Sequence, residues 1–150
     1  MLDIKFIREN PDLVKENIRK KFQNAKLPLV DEVIALDSER REAINEGEAL
    51  KAERNKISKA NGPLFGRLKK CADEAEKAAL QAEIDANNAA VKANAEHMAR
   101  LEEKKVNAEA AINKLLLVIP QMIDESVPIG PDDSCNVEVE RFGDPKTPDF

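Results

Sequence analysis

Lysine and arginine side chains are concentrated between residues 40 and 70 of this 150-residue chain. The stretch holds nine basic and four acidic residues, a formal charge of +5, whereas the whole chain carries −5. Ammonium and guanidinium groups bind phosphate oxygens by charge-assisted hydrogen bonds, and each phosphate that they neutralise releases condensed counterions. The stretch is therefore a candidate surface for a phosphate backbone rather than a site of covalent chemistry.

If this stretch is helical, its basic side chains project away from an apolar seam. At about 100° per residue, with Leu50 pointing inward, Arg41 and Lys59 point about 180° away. Lys56 lies about 60° further round. Phe65 is the only aromatic residue of the stretch, so recognition by backbone and shape is favoured over base stacking. The alternative is that these charges only keep an outer helical face soluble.

Eight residues are the candidates for phosphate contact, seven in this stretch and one beyond it. They are Arg41, Arg54, Lys56, Lys59, Arg67, Lys69, Lys70 and Lys77.

Other chemistry is not indicated by any motif. The sequence contains no GxxxxGK[ST] loop, no GxGxxG after a strand and no HExxH. Cys71 and Cys135 lie far apart, which argues against a zinc site or a disulfide framework and fits a reducing cytosol. The single histidine, His97, is expected to be an ordinary surface residue. We expect no catalytic residue, no metal and no cofactor in this chain.

The composition indicates long helices. Charged residues make up 35%, and there are five Phe but no Trp or Tyr, which argues against a sandwich, a barrel or an α/β core. The longest apolar run, residues 115–119, is far shorter than the roughly 20 residues of a membrane span. The first residues lack the apolar core of a signal peptide.

Heptad repeats predict two long helices that fold back on each other. One row is Leu36, Ala43, Leu50, Ile57 and Leu64. A second helix follows with apolar rows and many alanines, so the fold class is all-α, with a long antiparallel two-helix coiled-coil hairpin. We place the first arm at 29–70 and the second at 74–118, with the tip at 71–74. Pro63, between Gly62 and Gly66, predicts an interruption of the first arm at 61–66.

Shorter segments flank the hairpin. Residues 1–23 read as short helices that need a larger partner, and we expect them to pack at the base of the hairpin. Asn10 is the candidate N-cap of a helix that begins at Pro11. Residues 119–150 are rich in Pro and Gly and predict an extended linker, with a strand-like alternation over 136–142. Residues 1–118 would therefore form one helical domain.

Seven short motifs are spread along the chain. They are Met1-Leu2-Asp3, Ile7-Arg8-x-Asn10-Pro11-Asp12, Leu36-Asp37-x-Glu39-Arg40-Arg41, Lys51-Ala52-Glu53-Arg54-Asn55-x-Ile57-Ser58-Lys59, Ile119-Pro120, Ser126-Val127-Pro128-x-Gly130-x-Asp132 and Asn136-Val137-Glu138-Val139-x-Arg141-x-Gly143-x-Pro145. In residues and in order, these motifs resemble those of seryl-tRNA synthetases. Each motif is short, but together they cover essentially the whole chain.

The resemblance implies a class II aminoacyl-tRNA synthetase of the cytoplasm, which activates serine with ATP and Mg²⁺. The chain would be its N-terminal arm, which holds the long variable arm of serine tRNA, with selenocysteine tRNA as a second candidate. The linker would lead to the catalytic domain, which is absent here, so the chain alone would be inactive. The parent would be a homodimer and this chain a monomer.

Two alternatives remain open from the sequence. A coiled-coil hairpin with polar seam positions could instead be a protein-interaction module. A synthetase paralogue that no longer aminoacylates tRNA would carry the same N-terminal motifs.

Overall fold

Four α-helices account for most of the computed structural model, which describes residues 1–143. They are α1 (Ile4–Glu9), α2 (Pro11–Lys20), α3 (Leu27–Lys70) and α4 (Glu74–Val118). Two 3-10 helices, Asn24–Lys26 and Asp133–Cys135, complete the helical elements of the described part of the chain. Helices α3 and α4 pack against each other as a hairpin, which confirms the all-α hairpin class.

The start of the chain is fixed by local hydrogen bonds. The carboxylate of Asp3 accepts a bond from the backbone N–H of Lys5 at 2.6 Å and so caps α1. Pro11 occupies the first turn of α2, where its missing N–H costs nothing. Asn10 precedes it, but its side-chain amide donates to the Phe6 carbonyl at 3.2 Å and caps nothing in α2. Asn10 therefore holds the predicted N-cap position of α2, but its side chain does not form the cap.

Helix α3 runs without a break through Pro63, so the predicted interruption at 61–66 is wrong. Proline removes the bond to the carbonyl four residues earlier, which disfavours a helix interior. Here contacts between the inner face of α3 and α4 offset the cost of the proline. Asn61 is buried and its amide bonds the side chains of Asn87 at 2.7 Å and Asn88 at 3.2 Å. The helix ends instead at Lys70, and residues 71–73 form the turn into α4.

Residues 33–115 form one compact unit, made from most of both long helices. Its distal end is closed by a small apolar cluster of Leu64, Leu80 and Ile84. Nearer the middle, His97 contacts Glu46 at 3.2 Å across the seam. A buried carboxylate, Asp37, accepts from the guanidinium of Arg40 at 2.9 Å.

Residues 1–32 and, within the described part of the chain, residues 116–143 form a second unit. Its core contains side chains with no exposed surface from α1, α2 and the first turns of α3: Ile7, Val14, Ile18 and Val30. Ile119, the residue that follows the end of α4, is also buried. Lys15 reaches Asp31 at 2.7 Å, so the short helices pack on the starting end of α3, as the sequence predicted.

After Val118 the described chain is largely irregular. The only regular element in 119–143 is the 3-10 helix Asp133–Cys135, and no strand forms over 136–142. Val139 and Phe142 are 95% and 100% exposed, because the described residues offer that segment no partner strand. A Cβ atom on Gly130 would lie 2.1 Å from the Cys135 Cβ, so only glycine fits there. The rest of the predicted linker, 144–150, lies outside the described residues.

Candidate nucleic-acid interface

The basic side chains of α3 lie on its outward faces. Between residues 54 and 70 the helix carries six basic residues and no acidic one. The inner face over this stretch is identified by the buried Asn61 and Leu64. Lys56 and Lys59 are exposed and point away from that face, as the 100° spacing predicts. This part of the hairpin therefore presents positive charge outward without cost to its packing.

The eight candidates differ in exposure. Six are exposed: Arg41, Lys56, Lys59, Arg67, Lys69 and Lys70. Arg54 and Lys77 are half-buried. Arg54 lies close to the seam because it follows the inward Leu50 by four residues. Its stem can cover apolar surface while its guanidinium reaches solvent.

Six of the candidates carry charges that nothing in residues 1–143 neutralises by direct contact. They are Arg41, Arg54, Lys56, Lys59, Lys69 and Lys70, none of which forms an ion pair or a side-chain hydrogen bond within that range. An unpaired surface cation keeps its full field for an incoming anion. These six are the residues best able to take a phosphate.

The other two candidates are already paired. The guanidinium of Arg67 contacts the carboxylate of Glu76 at 3.1 Å across the turn. The Cys71 thiol donates to the same carboxylate at 3.2 Å, and these two contacts lower the pKa of Glu76, the thiol bond having the larger effect. Lys77 contacts Glu74 on its own helix at 2.7 Å. Arg67 and Lys77 therefore offer less to a phosphate than the unpaired six.

Arg40, counted in the basic stretch, has a structural role. Its guanidinium contacts Asp37 at 2.9 Å and Glu109 on α4 at 3.6 Å. The bond to Asp37 is the main reason that the pKa of Arg40 lies above its ordinary value. The heptad pattern gave no sign of the buried Asp37, because such a pattern treats a carboxylate as a solvent-facing residue.

The beginning of α4 has the opposite charge. Residues 73–85 contain five acidic residues and one basic residue, directly after the basic end of α3. The distal hairpin is thus positive along one helix and negative along the other. The net charges of residues 40–70 and of the whole chain gave no sign of this contrast. It appears when the charges of α3 and α4 are counted separately. A polyanion approaching the distal hairpin meets attraction on α3 and repulsion on α4.

The described residues show neither a metal-binding cluster nor a membrane-spanning helix. No group of three or more His, Cys, Asp or Glu residues in 1–143 is placed to hold a metal ion. Among these residues no helix is both long and apolar enough to cross a membrane.

Comparison with known proteins agrees with this arrangement. Residues 1–123 match the seryl-tRNA synthetase N-terminal domain. The chain belongs to this family. The resemblance noted in its motifs is confirmed over most of its length.

Relatives of this seryl-tRNA synthetase N-terminal domain are much longer than the chain. The serine–tRNA ligase of Thermotoga maritima is 41% identical over 150 residues, which are 100% of this chain and 32% of that protein. The serine–tRNA ligase of Methanospirillum hungatei is 37% identical over 98% of this chain and 32% of its own length. The chain therefore spans about a third of these curated relatives.

A solved structure shares the fold. The seryl-tRNA synthetase of Pyrococcus horikoshii, in a crystal structure with ATP, superposes with a TM-score of 0.76 at 32% identity. The match covers 93% of this chain and 28% of that chain.

Proposed function

We propose that this chain is the tRNA-binding part of a serine–tRNA ligase. The hairpin holds serine tRNA by its long variable arm and positions it for ATP-dependent serylation by the rest of the parent protein. The single observation that carries this proposal is the outward row of unpaired cations on α3, in a chain of this family. Selenocysteine tRNA is the second candidate ligand.

The contact surface in this proposal is α3. Lys56, Lys59 and Lys70 lie within about 60° of one another around the helix, so one backbone strand can pass over all three. Arg41 lies further along the same face and extends the surface. Phe65 is the only aromatic residue between positions 40 and 70, so the contacts select backbone geometry rather than base identity. The acidic start of α4 disfavours an approach of the tRNA backbone to that helix instead.

The rest of the parent supplies the chemistry. We therefore place ATP, Mg²⁺ and the class II active site in the remaining two thirds of the parent, and expect no serylation by this chain alone. We further propose a cytoplasmic homodimeric parent, with this chain monomeric when separated from its catalytic domain.

Salt dependence tests the contact surface directly. Each phosphate contact lowers log affinity by roughly 0.7–0.9 per unit of log salt. Replacing Lys56 and Lys59 together by Ala should therefore reduce that slope by about one to two units. Helix content should not fall, because Ala is a better helix former than Lys. The measurement is fluorescence anisotropy with labelled serine tRNA, from low salt upward.

The matched control removes two exposed, unpaired lysines of α4, Lys104 and Lys114, and should leave the slope unchanged. An equal loss in both double variants would contradict α3 as the contact surface. A tRNA without the long variable arm should bind more weakly. Equal binding of that tRNA would reduce the surface to general polyanion attraction, and no tRNA binding at all would favour the protein-interaction alternative.

A further inference from the structure

A buried asparagine of α2 holds the chain where it leaves α4. Asn17 is 2% exposed, and its side chain uses both of its polar groups on one distant segment. Its amide nitrogen donates to the Gln121 carbonyl at 3.0 Å, and its oxygen accepts from the Ile123 N–H at 2.8 Å. Both partners follow Pro120, more than 100 positions along the sequence from Asn17.

Two lysines reinforce this contact. Lys21 donates to the same Gln121 carbonyl at 2.6 Å, and Lys26 donates to the Val118 carbonyl at 2.9 Å. The last turn of α4, residues 115–118, is entirely apolar, so no side chain of its own can compensate the negative end of the helix dipole. Lys26 supplies that positive charge from another segment. We call Asn17, Lys21 and Lys26 the exit clamp.

The bonding pattern does more than satisfy a buried amide. A carbonyl at one position and an N–H two positions later face the same side of an extended chain, as they do toward a neighbouring strand. The Asn17 side chain takes the place of that strand, because it offers a donor and an acceptor together. Ile119, just upstream, is buried and so anchors the start of the segment. The path of residues 118–123 is therefore fixed against α2.

We propose that the exit clamp orients the linker that connects the arm to the catalytic part of the parent, with Asn17 as a positioning residue for tRNA serylation. The proposal rests on the proposed function, since it concerns delivery of the arm-bound tRNA. A loosened clamp leaves the phosphate-binding surface of α3 intact but lets the linker leave α4 in several directions. The bound tRNA is then positioned less precisely for the reaction, whereas its affinity does not fall.

The first measurement is amide exchange in the 150-residue chain. Asn17→Ala removes the acceptor for the Ile123 N–H, so exchange at Ile123 should rise about tenfold or more, while amides in the middle of α4 stay unchanged. Lys20→Ala is the matched control, because Lys20 is also on α2 but its ammonium pairs with Glu16, at 2.9 Å, rather than with the linker residues 118–123. Lys21→Ala should give a smaller rise, since Asn17 still holds Gln121. If Asn17→Ala does not fold, Lys21→Ala still tests the clamp.

The second measurement uses the full-length parent. Asn17→Ala should lower kcat for tRNA serylation about tenfold, with KM for tRNA and the rate of tRNA-independent serine activation within about twofold of wild type. Asn17→Asp, which keeps the acceptor for Ile123 but not the donor for Gln121, should be intermediate. Lys20→Ala should behave as wild type.

The outcomes separate the clamp from the proposed function. Unchanged exchange at Ile123 would overturn the clamp. Faster exchange with unchanged serylation, or an equal fall in serylation and serine activation, would overturn its positioning role. A wild-type parent that does not charge tRNA would instead overturn the proposed function and, with it, the positioning role, while the exchange data would still decide whether the contact holds the linker.

Discussion

The side chain of Glu76 connects the acidic start of α4 with the basic end of α3. It lies in the acidic first turn of α4, yet it accepts bonds from Arg67 on α3 and from the thiol of Cys71 in the turn. Both donors favour the charged carboxylate, so its pKa is lowered although it is solvent-accessible. The contact with Arg67 is therefore retained at more acidic pH than an ordinary glutamate would allow.

The titration of Glu76 is the first prediction at this scale. Because its pKa is depressed in the folded chain, the stabilisation by its contacts is present above the ordinary carboxyl pKa and is lost as pH falls through the lowered value. Cys71→Ala should raise the pKa of Glu76 toward its ordinary value, whereas Cys71→Ser, which keeps a donor, should not. Carboxyl-carbon NMR titration measures both. The same midpoint in wild type and Cys71→Ala would rule out the thiol bond.

Helix α3 is the element that departs most from its sequence preferences. It is 44 residues long and contains Pro63 with glycines on either side, yet it remains one helix. Its continuity rests on the opposite face, where Asn61 and Leu64 are buried against α4. Long-range packing therefore outweighs local propensity at this point.

Pro63→Ala should accordingly stabilise the hairpin. The substitution restores an N–H that can bond the Lys59 carbonyl and removes the ring clash, a gain of up to about 3 kcal/mol. Gly47→Ala, at an open position of the same helix, is the control and should add only about 0.5–1 kcal/mol. Urea unfolding followed by circular dichroism gives both values. A loss of stability in Pro63→Ala would mean that proline shapes the helix in a way that packing needs.

At the same scale, the heptad pattern predicted the hairpin but not its polar interior. Ala43 and Leu64 of the predicted row are buried, as expected. Asp37 and Asn61 are buried too, although their residue types indicate solvent. Their burial depends on partners such as Arg40 and Asn87, and for Asn61 that partner lies on the other helix. A periodicity analysis of one segment has no access to such partners.

The same limit applies to the candidate interface. Composition and spacing predicted an outward basic face, and the structure places Lys56 and Lys59 on it. The pairing of Arg67 with Glu76 depends on how residues 71–73 turn, which no motif records. The contact of Lys56 and Lys59 with tRNA stays a prediction.

The whole molecule divides into two units with different cores. The unit containing the chain start buries Ile7, Val14 and Ile18 completely. The distal end of the other unit depends on a cluster of only three buried side chains, Leu64, Leu80 and Ile84. Local opening costs less where fewer apolar contacts are lost.

Native-state hydrogen exchange should therefore resolve two opening reactions. The amides of Leu64 and Leu80 should exchange through an opening of lower free energy and weaker denaturant dependence than the amide of Ile18. The experiment is exchange followed by NMR at increasing, sub-denaturing urea. One common free energy and slope for both groups would mean that the chain opens as a single cooperative unit.

The unit at the chain start also has a consequence for biosynthesis. Asn17 finds its partners only at residues 121 and 123, so the ribosome must add about 100 residues before that unit can close. At about 5–20 residues per second, this takes roughly 5–20 s. The hairpin joins consecutive helices, so it can form from its tip while the rest of α4 is still being synthesised. The segment made first is thus among the last to be fixed.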